Sequence, residues 1–138
     1  MKYLLDTNII SEIQKSDCGP PVKSFINTIP QEDIFLCAIT IGELCYGIEK
    51  LPPGKKKHEV ALWLYSKVPE YFKERIIPID TEVMLEWGKL RAGAGRTMPT
   101  VDSLIASAAL CHHMRLVTRN TKDFKDIAGI NLINPWEL

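Results

Sequence analysis

The chain has 138 residues, 46% of them apolar and 25% charged, values that exclude extended disorder and suit one folded domain over residues 1–138. Its 17 basic residues balance its 17 acidic ones, so any site for a polyanion must arise from local segregation of charge rather than from an overall cationic excess. The four cysteines, Cys18, Cys37, Cys45 and Cys111, lack C-x-x-C spacing and suit a reducing cytoplasm, and no apolar run approaches the roughly 20 residues of a membrane span or forms a signal peptide.

Residues 2–5 form a short apolar run that ends at Asp6 and reads as a first strand. Thr7 or Asn8 is placed to cap the helix that follows, which carries Ile9, Ile10 and Ile13. Residues 16–21 contain Gly and Pro and read as a loop, and residues 22–28 as a short helix. A second apolar run, 34–39, has the character of a buried parallel strand. Thr40 opens a helix that Pro52-Pro53-Gly54 stops near Leu51. Residues 55–72 form a long helical stretch, with Val60, Leu64 and Val68 at four-residue steps. Residues 75–79 read as a third strand, and Pro78 puts it at a sheet edge. Asp80 or Thr81 starts the next helix, and residues 93–99 form a Gly-containing loop. Thr100 caps a helix over about residues 101–114. A strand over 116–118, a turn over 120–124 and a last strand over 130–133 close the chain. Strands alternating with helices predict an α/β fold with a mostly parallel sheet and helices on both faces.

In such folds ligands bind beyond the carboxyl ends of the strands. The polar residues expected there are mostly acidic: Asp6 after the first strand, Glu43 after the second, Asp102 at the start of the late helix, and Asn120 and Asp123 after the fourth strand. Each has an ordinary structural use. Asp6 and Asp102 suit helix starts, Asp123 suits a turn, and Thr40-Ile41-Gly42-Glu43 is a capping-box sequence. Jointly they carry a cost, because two carboxylates about 5 Å apart repel by roughly 3 kcal/mol at an effective dielectric near 20. A hard divalent cation with oxygen ligands relieves that repulsion, and phosphodiester hydrolysis is the chemistry that suits such a site.

Four motifs, in order, then carry a resemblance. Leu4-Leu5-Asp6-Thr7-Asn8, Thr40-Ile41-Gly42-Glu43-Leu44, Pro99-Thr100-Val101-Asp102-Ser103 and Leu116-Val117-Thr118-Arg119-Asn120-Thr121-Lys122-Asp123-Phe124 resemble the motifs of PIN domains. The short chain and the Asp-Thr-Asn start are similar to the VapC and FitB toxins of that family. The resemblance implies a three-layer α/β/α domain and RNA cleavage dependent on Mg²⁺ or Mn²⁺. Asp6, Glu43, Asp102 and Asp123 would be catalytic. Asp6 and Asp102 would ligate the metal directly, with Thr7, Asn8, Thr118 and Asn120 as polar support. Whether Asn120 or Asp123 is the fourth site residue stays open. The resemblance also implies a VapB-like antitoxin, a homodimer and a cytoplasmic protein of a type II toxin–antitoxin pair.

RNA binding needs cations beside the acids, and Arg96 and Arg119 are the chosen candidates; Lys55-Lys56-Lys57 reads as a solvated helix start. His112 and His113 are expected to be non-ligands. A phosphorylatable receiver domain also gathers acids at strand ends, but it needs an acidic pair after strand one, where this chain has a single Asp before Thr-Asn. A PIN nuclease of RNA processing and a PIN scaffold that binds without cutting are the remaining alternatives.

Overall fold

A computed structural model describes all residues from Met1 to Leu138. Five strands, β1 (Tyr3–Leu5), β2 (Ile34–Cys37), β3 (Ile76–Ile77), β4 (Arg115–Val117) and β5 (Leu132–Ile133), form one sheet in the order β3-β2-β1-β4-β5. All four pairings are parallel. β1 is therefore central, and β3, just before Pro78, lies at an edge as its proline requires.

The helices are α1 (Thr7–Gln14), α2 (Pro20–Asn27), α3 (Ala38–Glu49), α4 (Lys55–Leu62), α5 (Val68–Tyr71), α6 (Thr81–Gly93) and α7 (Thr100–Cys111). A π-helical turn, Trp63–Lys67, joins α4 and α5 into the long helical stretch that the apolar spacing predicts. Gly54, at φ 149°, takes the reversal before α4, a conformation L side chains rarely adopt.

The strand period of two divides the core into two layers. Leu4, Phe35, Cys37 and Leu116 face one way and pack with Val83, Ile105 and Ala109 of α6 and α7. Leu5, Ile34, Leu36 and Val117 face the other way, against Ile9, Val22, Leu44, Leu64 and Val68. Helices thus cover both faces, giving the three-layer α/β/α arrangement. Cys37 is a fully buried core residue, whereas Cys45 is half-buried with its Sγ 3.5 Å from the Tyr65 hydroxyl.

Several boundaries differ from the sequence expectation. The segment at 16–21 is partly helical, because Pro20 and Pro21 fit the first turn of α2, where no backbone N–H is needed. α1 is capped by Asp6, not by Thr7 or Asn8: the Asp6 carboxylate accepts from the Thr7 N–H at 2.8 Å. α3 begins at Ala38 rather than Thr40, with Cys37 at its cap position. Thr40 is then a buried helix residue, the capping box with Glu43 does not form, and Glu43 lies in the second turn instead of the first. Likewise Pro99 holds the cap position of α7, and Thr100 is its first helical residue.

Candidate active site

The chain runs β1, β2, β3 outward on one side of the sheet, then crosses to β4 and β5 on the other. The gap between β1 and β4 is the topological switch point, where helices leave in opposite directions and open a crevice. Asp6 stands on that gap. Its backbone N–H donates to the Val117 carbonyl at 2.9 Å, which extends the β1–β4 ladder and turns its carboxylate out at the strand ends.

Asp6 is only 4% exposed. The Thr7 N–H donates to Oδ1, the Thr118 hydroxyl donates to Oδ2 at 2.7 Å, and Asn8 Nδ2 donates to Oδ2 at 3.4 Å. Asn8 is itself fixed, since its Oδ1 accepts from the Arg119 N–H at 3.3 Å. The Asn120 N–H donates to Thr118 Oγ1 at 3.1 Å. Thr7 points elsewhere: its hydroxyl meets that of Thr40 at 3.4 Å and ties α1 to α3. These contacts fix the rotamer of Asp6 before any ligand arrives.

Asp102 approaches from the first turn of α7, which Ser103 ties to α6. The Ser103 hydroxyl donates to the Thr100 carbonyl at 2.8 Å and accepts from Trp87 Nε1 of α6 at 2.9 Å. Asp123 ends a short 3₁₀ turn, Thr121–Asp123, after β4.

The charges of these residues act on one another. Burial raises the Asp6 carboxyl above its ordinary range, against the opposing hydrogen bonds from Thr118 and Thr7, and the charge of Asp123 adds to the rise. Asp102 is raised by burial, then by Asp6 and Asp123; Arg96 pulls it down and Glu43 pushes it up. Four acids therefore share one electrostatic neighbourhood, an arrangement that costs stability and is characteristic of functional sites. No three of them close into a cage of direct ligands.

A PIN-domain profile matches residues 3–130. The chain belongs to the PIN-domain family. Among curated relatives, it is 34% identical over 137 residues to "VapC ribonuclease Y4jK" of Sinorhizobium fredii, with 97% of each chain covered. It is 34% identical over 136 residues to "Toxin FitB" of Neisseria gonorrhoeae, covering 96% of this chain and 97% of that one. The crystal structure of FitAcB from Neisseria gonorrhoeae superposes with a TM-score of 0.91 at 34% identity over 99% of both chains. That of VapBC2 from Rickettsia felis, bound to a promoter DNA fragment, gives 0.77 at 29% identity over 97% and 98%.

Of the residues expected from sequence, the PIN fold brings Asp6, Asp102, Asp123 and Glu43 into one charged neighbourhood, and Thr118, Asn8 and Asn120 into one hydrogen-bonded chain on Asp6. The two arginines part company. Arg96 forms an ion pair with Asp126, its Nε 2.9 Å from Oδ2. Arg119 is exposed and lies over the Trp136 ring, 4.3 Å from its centroid.

Four residues were not singled out as site candidates from the sequence. Trp136 backs Arg119 from the C-terminal 3₁₀ turn, and Asn134 anchors both by donating to the Arg119 carbonyl and accepting from the Trp136 N–H. Lys56 joins Thr7 and Glu43 in lining a cleft of about 210 Å³. Asp126 lies beyond the motif and has no spacing signal. The helical positions of Thr7, Glu43 and Lys56 could have suggested the cleft only if the packing of α1, α3 and α4 were known.

Proposed function

We propose that this protein is a metal-dependent endoribonuclease and the toxin of a toxin–antitoxin pair, using Mg²⁺ at the β1–β4 switch point. The convergence of Asp6, Asp102, Asp123 and Glu43 carries this reading, in a PIN chain aligned nearly end to end with ribonuclease toxins. Asp6 and Asp102 would hold the ion, and Glu43 and Asp123 would act through its waters. Bound there, Mg²⁺ (or Mn²⁺) supplies an activated water and stabilises charge on the scissile phosphate. Thr118 and Asn8 keep the Asp6 carboxylate oriented, as outer partners of metal ligands do. Arg119 presents a guanidinium to the RNA backbone beside that centre, spread on Trp136 and joined to the site through Asn8. The partners are an RNA substrate, a VapB-like antitoxin and a second copy of the chain, in the cytoplasm. No helix is long and apolar enough to cross a membrane.

The test incubates wild type and Asp6→Asn with a mixture of structured RNAs, in Mg²⁺ or in EDTA. Cleavage by wild type in Mg²⁺ alone, with none by the variant, is expected. Equal cleavage by both proteins would overturn the site.

A further inference from the structure

Arg96 belongs to the loop between α6 and α7, yet its side chain is spent on the segment after β4. Its Nε and Nη2 donate to Asp126 Oδ2 and Oδ1 at 2.9 and 3.1 Å, and Nη2 also donates to the backbone carbonyl of Asp123 at 2.6 Å. The guanidinium thus grips a carboxylate through one bidentate edge and a main-chain oxygen from the same nitrogen. The main-chain oxygen belongs to the residue whose carboxylate acts on Asp6 and Asp102.

That turn is also held locally: the Asn120 N–H donates to Thr118 Oγ1 at 3.1 Å, and the Lys125 N–H donates to the Thr121 carbonyl at 3.0 Å. It spans three residues, Thr121–Asp123, and rests on the internal bonds from Asp123 N–H to the Asn120 carbonyl and from Phe124 N–H to the Thr121 carbonyl. Phe124, fully buried, anchors it from within. Arg96 is its brace from outside. The Arg96 and Asp126 side chains are 37% and 55% exposed, and exposed ion pairs contribute little to global stability. The pair ties the α6–α7 loop to the backbone of the turn that ends at Asp123. A phosphate reaching the same edge of Arg96 would have to displace the Asp126 carboxylate, exchanging one anion for another with little gain.

We propose that Arg96 and Asp126 form a latch that holds Asp123 in place beside Asp6 and Asp102, which makes Arg96 a positioning residue rather than a contact to RNA. The inference rests on reading Asp123 as part of a metal-dependent nuclease site.

The experiment compares wild type, Arg96→Ala, Arg96→Lys, Asp126→Ala and the double Ala variant as full chains. It measures kcat and KM on one defined RNA in saturating Mg²⁺, and Mn²⁺ binding to the metal-free protein by electron paramagnetic resonance. Each single Ala variant is expected to lower kcat by about ten- to a hundredfold and to weaken Mn²⁺ binding severalfold, with KM within about twofold of wild type. The double variant is no worse than the worse single one, because both remove the same latch. Arg96→Lys rescues only in part, since one ammonium cannot span both acceptors. Asp126→Asn, with the same shape, replaces the Ala variant if that one melts early. The opposite pattern overturns the proposal: Asp126→Ala lowering KM at unchanged kcat, with Arg96→Ala raising KM, would make Arg96 a phosphate contact held in check by Asp126. Unchanged Mn²⁺ binding in every variant would overturn it too. If wild type cut no RNA while Mn²⁺ binding weakened as expected, the latch would stand and the nuclease reading would fall.

Discussion

Two strands of this sheet end in nearly the same sequence, and the fold uses them differently. β1 runs into Leu5-Asp6-Thr7 and α1; β3 runs into Ile79-Asp80-Thr81 and α6. Both aspartates are N-caps: Asp6 accepts from the Thr7 N–H, and Asp80 accepts from the Val83 N–H at 3.1 Å. Asp80, beyond an edge strand, is exposed and does nothing more than cap. Asp6, beyond the central strand, is buried against β4 and takes further bonds from Thr118 and Asn8, with Asp102 and Asp123 nearby. A strand–Asp–Thr–helix sequence therefore specifies a cap, and position within the sheet turns one such cap into a candidate ligand.

The largest effect that sharpens this contrast is on catalysis. Asp6→Asn keeps a good capping residue but removes the charge proposed to hold the metal, of the kind worth several kcal/mol in the transition state. Single-turnover RNA cleavage should fall by about a thousandfold, at about 1.4 kcal/mol per factor of ten. Asp80→Asn should stay within about twofold of wild type. Comparable losses in the two variants would erase the distinction between the strand ends.

Stability should respond in the opposite sense. In EDTA at neutral pH, Asp102→Asn should melt above wild type by a few degrees, because it removes a carboxylate that burial and its acidic neighbours destabilise. Asp80→Ala loses a cap worth about 1 kcal/mol and should melt about 4 °C lower. Calorimetry in EDTA and again in Mg²⁺ tests both, and Mg²⁺ should raise the Tm of wild type well above that of Asp102→Asn.

The pH dependence follows with a definite sign. The folded Asp6 and Asp102 carboxyls titrate above their ordinary value near 3.8. Between that value and the folded one, the native state holds more protons than the unfolded state. Stability from these groups therefore falls as pH rises through that window, and the penalty is complete above the folded value. The Tm advantage of Asp102→Asn over metal-free wild type should shrink as the pH is lowered toward 4. An advantage that grew on acidification would mean that Asp102 is stabilised as the anion.

The smallest expected effect concerns the rim. Arg119→Ala should raise KM for RNA a few-fold, leave kcat nearly intact, and reduce the salt dependence of binding by about one unit of log–log slope. A collapse of kcat at unchanged KM would move Arg119 from the substrate to the machinery around Asp6.

Much of this molecule was legible in the chain. The alternation of apolar runs with helical spacing gave the parallel three-layer fold, because a strand buried on both faces is apolar throughout and its crossovers must be helices. Pro78 marked the edge strand because it has no N–H to donate. The four motifs named Asp6, Glu43 and Asp102 as candidates and left the fourth position open between Asn120 and Asp123. Less legible was everything that depends on where a helix begins. Thr40 and Glu43 carry a perfect capping-box spacing, yet α3 starts two residues earlier, because Ala38 continues directly from the buried end of β2 and Thr40 is drawn into the core beside Thr7. Local capping preferences are worth about a kilocalorie and yield to burial.

Sequence by itself determined the residue types at the strand ends, since chemistry there is written in side chains that follow each apolar run. Tertiary structure alone decided which of those ends meet. The order β3-β2-β1-β4-β5 sets β1 against β4, so residues 112 positions apart, Asp6 and Thr118, share a hydrogen bond. The same packing separates two arginines that look alike in sequence, leaving Arg119 stacked on Trp136 and binding Arg96 to Asp126. Charges act through space, and only the folded chain fixes the distances over which they act.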